Sequence, residues 1–555
     1  MANQIDRVAP ANQSPVFEDV NLFTDDHALL EAVVREGGGA VTQRLAVFGR
    51  ICGGTEAAAL GRLANESPPR LRTHDGKGHR VDLVEFHPAY HACMTISMAE
   101  GLHASVWEHL AKPGDPRKSG AHVARAGAFY LAAQMEAGHL CPITMTSAAV
   151  ATLALQPDLA AVWVPRVLGR SYDQRFRPAA EKSAVTFGMG MTEKQGGTDV
   201  RANVTAATAV DGGGPGKAYR LKGHKWFLSA PMSDAFLMLA QAPGGLSCFL
   251  VPRWCDDGRL NALRLQRLKD KLGNRSNASS EVELDDALGW LVGEEGRGVP
   301  AIIEMVTATR LDCAVASAGL MRRAVAEAIH HARHRHVFDR ALAEQPLMQQ
   351  VLADLALDVE AATALAFRLA RSFDRADAAP ASAWRRLMTP VTKFWVCKMA
   401  PPLVFEAMEC LGGNGFVEES ALPRIYREVP VNAIWEGSGN VMALDVLRVL
   451  QREPEAVASV LAELEQAGGD DPHIKRGLAR LQSMLDEPRL LDMQARALVE
   501  GLAVVAAATI LLGHAPQAVA DAFIATRLGG APRYTYGQGL ERMDVRSILA
   551  RALPV

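Results

Sequence analysis

Apolar residues along this chain repeat with two different spacings, and the spacing changes twice. From about residue 25 to 156 they recur every three or four positions, which predicts amphipathic helices. From about 183 to 294 the chain consists of short apolar runs bounded by Gly, Pro or Asp, which predicts short strands. Helical spacing returns from 299 to about 450 and continues in an Ala- and Leu-rich segment to the end.

These changes predict a mainly α fold with a small central β domain. The expected units are an N-terminal helical domain (1–182), a β domain (183–294), a second helical domain (295–450) and a C-terminal helical domain (451–555). The length of 555 residues fits three or four units of about 150 residues each.

The composition is that of a globular protein, with 49% apolar and 22% charged residues. The net charge of -3 gives no general attraction to nucleic acid, so a DNA-binding surface would be a local patch. The eight cysteines show no CxxC pair, which argues against a zinc site or a disulfide framework and fits a cytoplasmic protein. The start of the chain has no secretory signal pattern, and the apolar run 502–512 is too short to span a membrane, so we expect a buried helix there.

A glycine-rich segment lies near the start of the predicted β domain. Residues 190–200 read GMTEKQGGTDV, and alone they would be interpreted as an ordinary hairpin. Together with the order helical, β, helical, the segment resembles the flavin loop of the acyl-CoA dehydrogenases. The resemblance implies flavin contacts from Met191 and Thr192, and a place for Thr198 near a substrate phosphate or the flavin edge. Glycines suit this loop because backbone N–H groups can then approach the flavin closely.

Two further parts of the β domain are similar to the same family. Residues 225–229 read KWFLS and resemble the strand whose aromatic residue packs on the isoalloxazine and whose hydroxyl reaches its N5 side. The resemblance gives these roles to Phe227 and Ser229, although an ordinary buried strand would look similar. Residues 271–277 (KLGNRSN) and 293–298 (GEEGRG) resemble the strand and turn that lead into the second bundle.

Residues 335–340 read RHVFDR and resemble the family's Arg-x-x-Phe-Gly motif. There the arginine binds the FAD pyrophosphate of a neighbouring subunit, because its fork holds two phosphate oxygens at once. The resemblance assigns FAD contacts to Arg335 and Phe338, with Asp339 in place of the usual glycine. The nearby pair His330 and His334 could form part of a metal site, but a solvated helix face is favoured because no carboxylate or Cys partner is close in sequence.

Two motifs follow in the second bundle. Residues 409–416 read ECLGGNGF and resemble the Gln-x-x-Gly-Gly-x-Gly loop that lies along the dinucleotide, which implies FAD contacts from Glu409, Gly412 and Gly413. Glu409 stands where glutamine is usual.

Residues 434–440 read IWEGSGN and match the family's aromatic-Glu-Gly-Thr/Ser segment. The resemblance implies that Glu436 is the catalytic base and that Ser438 and Asn440 bind FAD. The reaction needs a desolvated carboxylate of raised pKa, because the proton it removes beside a thioester carbonyl is only weakly acidic. Hydride then passes from the β-carbon to the flavin.

Some family members carry the base directly before an arginine early in the second bundle. Here Thr309 precedes Arg310, which excludes that position and leaves Arg310 as a substrate-site residue. Thr307 occupies a place where the family often has an acidic residue that helps to hold coenzyme A. Lys194 and Gln195 interrupt a stretch where proline and small residues are usual. Both departures argue against ordinary fatty acyl-CoA turnover.

The runs 188–199, 223–227, 269–279 and 430–436 look like the AidB-type branch rather than the β-oxidation enzymes. This resemblance covers essentially the whole chain. It implies an FAD-containing homotetramer with weak acyl-CoA dehydrogenase activity. It also implies a role in the response to DNA alkylation, through double-stranded DNA bound by the C-terminal domain and through inactivation of alkylating agents.

Two functions therefore remain open: a DNA-associated flavoprotein, and a metabolic acyl-CoA dehydrogenase, similar to the isovaleryl-CoA enzymes, without a DNA role. Residues 451–555 hold 11 Arg and Lys against 13 Asp and Glu, so this segment is not basic overall. Its tail is more basic, because only Glu541 and Asp544 oppose five arginines. The five predicted DNA contacts are Arg527, Arg533, Arg542, Arg546 and Arg551. Arg542 and Arg546 are spaced as neighbours on one helix face, although arginines that only solvate a terminal helix would look the same.

Overall fold

A computed structural model describes residues 12–111, 119–375, 378–530, 535, 536, 538, 540 and 542–553. The N-terminal part is a helical layer interrupted by one hairpin. Its elements are α1 (His27–Val33), α2 (Thr42–Cys52), α3 (Thr55–Glu66), β1 (Arg70–His74), β2 (Arg80–Glu85), α4 (Pro88–Glu100), α5 (Ala121–Met135), α6 (Leu140–Leu153) and α7 (Pro157–Val167). Helices α5 and α6 are buried along almost their whole length, because small and apolar residues cover all of their faces.

A mixed sheet follows. Its strands are β3 (Phe187–Gly190), β4 (Ala206–Ala209), β5 (Ala218–Ser229), β6 (Ala235–Ala242), β7 (Gly245–Pro252), β8 (Leu263–Leu268) and β9 (Ser279–Val292), in the order β3-β5-β4-β6-β7-β9-β8. Strands β3 and β4 run parallel to β6, and the other pairings are antiparallel. The extra pairings β3–β6 and β5–β9 fold the sheet back on itself. Separate clusters of buried apolar residues lie on its two faces.

The second bundle supplies the longest helices. Its elements are α8 (Gly298–His334), β10 (His336–Val337), β11 (Arg340–Ala341), α9 (Pro346–Asp374), α10 (Ala379–Cys410), α11 (Gly413–Phe416), α12 (Ala421–Asn432) and α13 (Gly439–Arg452). Together with the N-terminal layer and the sheet, these helices form the predicted fold class: two helical layers around a central β domain. The predicted boundaries after 182 and 294 fall in loops, and the boundary after 450 falls inside α13.

The sequence pattern did not predict the β1–β2 hairpin. Its residues alternate between charged and partly buried positions, a weak signal over five or six residues. The hairpin lies against β8, and Arg80 Nη2 donates a hydrogen bond to the Leu265 carbonyl at 2.7 Å.

The C-terminal segment packs onto the second bundle. Its helices are α14 (Pro454–Gly468), α15 (Pro472–Leu485), α16 (Leu491–His514), α17 (Gln517–Leu528) and α18 (Val545–Ala552). One continuous apolar core runs from the N-terminal helices through the second bundle to these helices. Within the described residues α16 is the one helix long and apolar enough to span a membrane, and 61% of its most apolar window is buried in the protein. The predicted buried helix at 502–512 is therefore part of this core helix.

Buried ion pairs fasten this segment to the bundle. Arg527 lies between Asp354 and Asp358 of α9, with N–O distances of 2.7 and 2.8 Å, and the three side chains are 5%, 0% and 1% exposed. Arg551 is held between Glu31 of α1 and Glu360 of α9 at 2.5 Å from each.

These contacts correct the sequence-based assignment of the tail arginines. The guanidinium groups of Arg527 and Arg551 are enclosed by carboxylates and are therefore not placed to contact DNA phosphates. Arg533 lies outside the described residues. Arg542 and Arg546 are exposed, but Arg542 precedes the first residue of α18, so the two are not neighbours on one helix.

We expect Arg527→Met to destabilise the fold strongly. The substitution leaves two aspartates buried without their counter-charge, and breaking such a pair costs about 3–5 kcal/mol. Urea unfolding measures the change in the free energy of unfolding. Arg546→Met is the matched control, because Arg546 is exposed and should change stability by no more than about 0.5 kcal/mol. Equal effects of the two substitutions would contradict the role given to Arg527.

Candidate active site

Glu436 lies in the turn between α12 and α13 with a backbone φ of 58°, a left-handed value that is strained for a residue other than glycine. Two buried cations hold the turn in this conformation. Arg310 Nε of α8 donates to the Glu436 carbonyl at 2.9 Å. Lys393 Nζ of α10 donates to the carbonyls of Trp435, at 2.8 Å, and Gly437. The turn is thus fixed by side chains from two helices that are distant in sequence.

An ion pair with α13 holds the Arg310 side chain in place. Its Nη1 lies 2.7 Å from Asp445 of α13, and Asp445 also pairs with Arg386 at 3.3 Å. Arg310 therefore supports the Glu436 turn and is not among the residues that line the cavity described next, and its assignment to the substrate stays a prediction.

The carboxyl group of Glu436 faces a narrow cavity of about 70 Å³. Helices α5, α6 and α8 supply most of the residues in its wall, among them the apolar Phe129, Leu140, Met145 and Ala316. Thr309 donates its Oγ1 hydrogen to Glu436 Oε2 at 2.8 Å. Burial raises the pKa of Glu436, and the Thr309 hydrogen bond and the charges of Arg310 and Lys393 oppose that rise only in part.

A second carboxylate, Asp312, lines the same cavity. Arg125 of α5 donates two hydrogen bonds to it, from Nη1 to Oδ1 at 2.6 Å and from Nη2 to Oδ2 at 2.7 Å. Thr144 Oγ1 also donates to Oδ2, at 2.5 Å. Both oxygens of Asp312 are therefore engaged, whereas only Oε2 of Glu436 accepts a hydrogen bond from a described side chain, so Glu436 is the better candidate for proton removal. Motif analysis could not predict this pair, because its members are 187 positions apart.

One residue of the predicted flavin-binding segments, Ser229, meets Glu436 at this cavity. Ser229, the last residue of β5, lines the cavity together with Glu436 and is aligned with Met189 of β3. Met191 and Thr192 follow β3, and the Trp226 backbone N–H donates to the Thr192 carbonyl at 2.9 Å.

A fully buried ion pair fixes the same loop. Lys225 Nζ lies 2.6 Å from Glu193 and also donates to the Leu239 carbonyl at 2.7 Å. Further along the loop and strand, Phe227 is 45% exposed and Thr198 is exposed, so both side chains are accessible from outside the fold.

Arg335 and Phe338 lie on the β10–β11 hairpin. Phe338 and Asp339 form its two-residue turn with φ of 53° and 61°, and positive values at both positions are typical of a type I′ turn. Asp339 therefore adopts the conformation that the usual glycine would take. Phe338 is 89% exposed at the tip, and Arg335 Nη1 donates to the Asn12 carbonyl at 2.6 Å.

The glycine loop after α10 lies beside this hairpin. Asn12 contacts the hairpin, and the next residue, Gln13, accepts a hydrogen bond from Asn414 of the loop at 2.9 Å. A Cβ atom built on Gly412 or Gly413 would meet no atom within 4 Å, so the loop backbone is open to a ligand. Glu409 is exposed at the end of α10. None of these residues lines the Glu436 cavity.

Ser438 and Asn440 lie at the N-terminal end of α13, directly after the Glu436 turn. Ser438 makes no side-chain capping bond at the start of this 14-residue helix, both residues are exposed, and Asn440 Oδ1 accepts a hydrogen bond from Arg496 at 2.9 Å. A helix N-terminus attracts phosphate oxygens. Open glycine backbone, this helix end and the Ser229 side of the cavity together fit a dinucleotide that carries a flavin.

The His330 and His334 pair makes intramolecular bonds. His330 Nε2 is 2.8 Å from the Pro15 carbonyl, and His334 Nδ1 is 2.8 Å from the His330 carbonyl. Among the residues that the structure describes, no group of three or more His, Cys, Asp or Glu could hold a metal ion.

Three family models match consecutive parts of the chain. They are the N-terminal domain of adaptive response protein AidB (residues 12–174), the acyl-CoA dehydrogenase middle domain (188–287) and the acyl-CoA dehydrogenase C-terminal domain (296–451).

Similar proteins include two that match most of the chain. The putative acyl-CoA dehydrogenase AidB of Escherichia coli is 51% identical over 478 residues, which cover 86% of each chain. Acyl-CoA dehydrogenase family member 11 of Caenorhabditis elegans is 34% identical over 80% of this chain and 72% of its own length. The crystal structure of C. elegans ACDH-11 in complex with C11-CoA matches with a TM-score of 0.85 at 29% identity, covering 96% of this chain and 95% of that one. An acyl-CoA dehydrogenase from Bacillus anthracis, complexed with FAD, shares the fold at 19% identity with a TM-score of 0.63, over 84% and 80% of the two chains.

We expect Arg335→Ala to lower the flavin content of the purified protein sharply, because the substitution removes the guanidinium assigned to the pyrophosphate. The ratio of flavin absorbance to protein absorbance measures this content. Arg340→Ala is the matched control, because Arg340 is an exposed arginine on the same hairpin. The role of Arg335 would be contradicted if the two variants retained equal amounts of flavin.

Proposed function

The chain belongs to the acyl-CoA dehydrogenase family, in the group of AidB, and is an FAD-dependent oxidoreductase; on this premise we propose that it dehydrogenates an acyl-CoA thioester between its α- and β-carbons. One observation carries the proposal: a carboxylate of raised pKa, Glu436, shares a narrow cavity with Ser229, the hydroxyl residue of the predicted flavin-binding segment 225–229. The C11-CoA complex of the C. elegans protein supports a coenzyme A thioester as the substrate.

Each of several residues has its own role in the proposed reaction. Glu436 takes the α-proton. Thr309 fixes Oε2 of its carboxylate, and no described residue donates to Oε1, which is therefore the oxygen assigned to the proton. Bound FAD, held by the residues described above, supplies the acceptor for the β-hydride. Both oxygens of Asp312 accept hydrogen bonds from Arg125, and both oxygens of Glu428, the third carboxylate of the cavity, accept from Asn274, so Glu436 is the carboxylate that keeps an unoccupied oxygen.

We further propose that the protein associates with double-stranded DNA in the response to alkylation. The similarity to AidB over most of the chain supports this role, as do Arg542 and Arg546, which are exposed near the C-terminal end. Two arginines give a small basic patch, so we expect weak binding without sequence preference. No residue of the Glu436 cavity distinguishes an alkylating agent from an acyl thioester, and a metabolic dehydrogenase without DNA is the alternative.

We also propose that the protein is a homotetramer located in the cytoplasm. Two exposed aromatic residues are suited to burial against another subunit. They are Phe338 at the tip of the hairpin and Phe416 at the end of the glycine loop, which is 77% exposed. All eight cysteines are free and seven are buried, which suits a reducing compartment.

We expect Glu436→Gln to abolish bleaching of the flavin by an acyl-CoA while the FAD stays bound. The wild-type rate should rise with pH through a midpoint above the ordinary glutamate value of 4.5, because Glu436 must be ionised to act and its pKa is raised. Thr309→Val removes a hydrogen bond that lowers this pKa, so the midpoint should move up by as much as about one pH unit. Undiminished bleaching in Glu436→Gln would place the base elsewhere.

For DNA, we expect the double substitution of Arg542 and Arg546 by alanine to weaken duplex binding. Each lost phosphate contact should reduce the log-log salt slope by about 0.9. Fluorescence anisotropy at several salt concentrations measures both effects. The matched control replaces Arg476 and Arg480, two exposed arginines of α15, so that the net charge changes equally. Absence of salt-sensitive binding by the wild type would favour the metabolic alternative.

A further inference from the structure

Three carboxylates line the Glu436 cavity: Glu436 itself, Asp312 and Glu428. Their order along the cavity follows from the helices that carry them. Asp312 lies three residues after Thr309 on α8, which places it on the same helix face and about 4.5 Å further along the helix axis. Because Thr309 contacts Glu436, Asp312 lies one helical turn beyond the proposed base.

Glu428 lies deeper in the cavity. Asn432 of α12 donates its Nδ2 hydrogen to Ser317 of α8 at 3.1 Å, and Ser317 is about 12 Å beyond Thr309 along the axis of α8. Since α12 meets α8 at Ser317 and the turn after α12 meets α8 at Thr309, the two helices run in opposite directions. Glu428 is one turn before Asn432 and therefore lies farther from the proposed base than Asp312 does.

The cavity has room for only a short group beside Asp312. Its volume of about 70 Å³ corresponds to about five atoms of the size of a water molecule. In the proposed reaction Glu436 acts at the α-carbon of the acyl group. Asp312 then lies opposite the γ-carbon and the atom bonded to it, so the chemical nature of that atom should affect binding.

The Asp312 carboxylate can accept one more hydrogen bond. Its Oδ2 accepts from Arg125 Nη2 and from Thr144, whereas the one bond to Oδ1 from a described residue comes from Arg125 Nη1, at 2.6 Å. A carboxylate oxygen has two acceptor sites, so Oδ1 retains one. A methyl group beside this oxygen would exclude water without offering a hydrogen, and a buried acceptor that loses water in this way is costly.

A neutral donor suits Asp312 better than a charged group. The charge of Asp312 is already paired with the Arg125 guanidinium, and the two side chains are 5% and 6% exposed. An ammonium group would lose its hydration beside a carboxylate that is already neutralised. Among the described residues that line the cavity there is no Lys or Arg, so a carboxylate on the acyl group would meet no cation. A hydroxyl group supplies one hydrogen at a smaller desolvation cost.

We propose that Asp312 selects a short acyl group with a hydroxyl on its γ-carbon over an unsubstituted chain of the same size. The hydroxyl donates to Oδ1, and Arg125 and Thr144 hold the carboxylate in position to accept it. Asp312 is then a specificity residue for the reaction in which Glu436 is the base. This selection rests on the proposed dehydrogenation of an acyl-CoA, but it acts on binding and is measurable without turnover.

Two thioesters of equal size provide the test: 4-hydroxybutanoyl-CoA and pentanoyl-CoA, in which a hydroxyl and a methyl group occupy the same place. Flavin difference spectra measure the affinity of each for the FAD-loaded, full-length Glu436→Gln variant, which should bind thioesters without turning them over. The hydroxy compound should bind about 10- to 100-fold more tightly, the effect of one hydrogen bond to a charged group. Bleaching of the wild-type flavin should favour it by the same factor in kcat/KM.

Replacing both members of the ion pair, by Arg125→Met with Asp312→Leu, should abolish this preference without leaving a buried charge. The matched control replaces Lys182 and Asp234 in the same way, because these two side chains form an equally buried pair, each 6% exposed, that does not line the cavity. The control should keep the preference. A ratio of two affinities measured on one sample does not depend on how much of that sample is folded.

Equal affinities of the two thioesters for the Glu436→Gln variant, or a preference that survives loss of the ion pair, would overturn the role of Asp312. Equally efficient bleaching of the wild-type flavin by both would overturn it too, but would leave the proposed dehydrogenation in place. Preferential binding of the hydroxy compound without any bleaching would support Asp312 and refute the dehydrogenation, whereas absence of binding by either thioester would overturn both.

Should the double variant not fold, Asp312→Asn serves instead, because it removes the charge at nearly constant size. The preference for the hydroxy compound should then fall at least about fivefold, since a hydrogen bond to a neutral acceptor is weaker than one to a carboxylate. An unchanged preference in this variant would overturn the role of Asp312.

Discussion

The conformation of one turn governs the chemistry of this protein. Glu436 occupies a left-handed backbone position, and the turn is held because Arg310 and Lys393 donate to three consecutive carbonyls, those of residues 435 to 437. A strained backbone conformation of this kind persists only where neighbouring groups hold it in place. Here the neighbouring groups are side chains of two long helices, α8 and α10. The position of the carboxylate therefore depends on how these helices pack. Catalysis and bundle stability are linked through the same two cations.

The sequence predicted much of this arrangement, but only its local part. Motifs are contiguous, so the glycine loop, the hairpin and the Glu436 segment could each be recognised from a few adjacent residues. The structure brings Ser229 and Glu436 to one cavity, and their roles toward the flavin and the substrate stay predictions. The Arg125–Asp312 pair and the contact of Arg310 with the Glu436 turn could not be predicted, because both depend on contacts between residues more than a hundred positions apart.

The number of basic residues in a segment does not predict whether that segment binds DNA, as the tail arginines illustrate. Arg527 and Arg551 have the same formal charge as Arg546, yet they lie between carboxylates of α1 and α9 and are nearly neutralised there. A list of basic residues does not separate charges that stabilise a core from charges that present a field to solvent. Burial decides between these roles.

The N-terminal segment from Asn12 to Phe17 bonds to the hairpin of Arg335, to the glycine loop and to His330, His331 and Arg323. It is thus a tether that joins the hairpin and the glycine loop to helix α8. Ordering one short segment costs conformational entropy once, and the contacts with all three elements share that cost. A substitution that freed this segment would therefore loosen the hairpin and the glycine loop together.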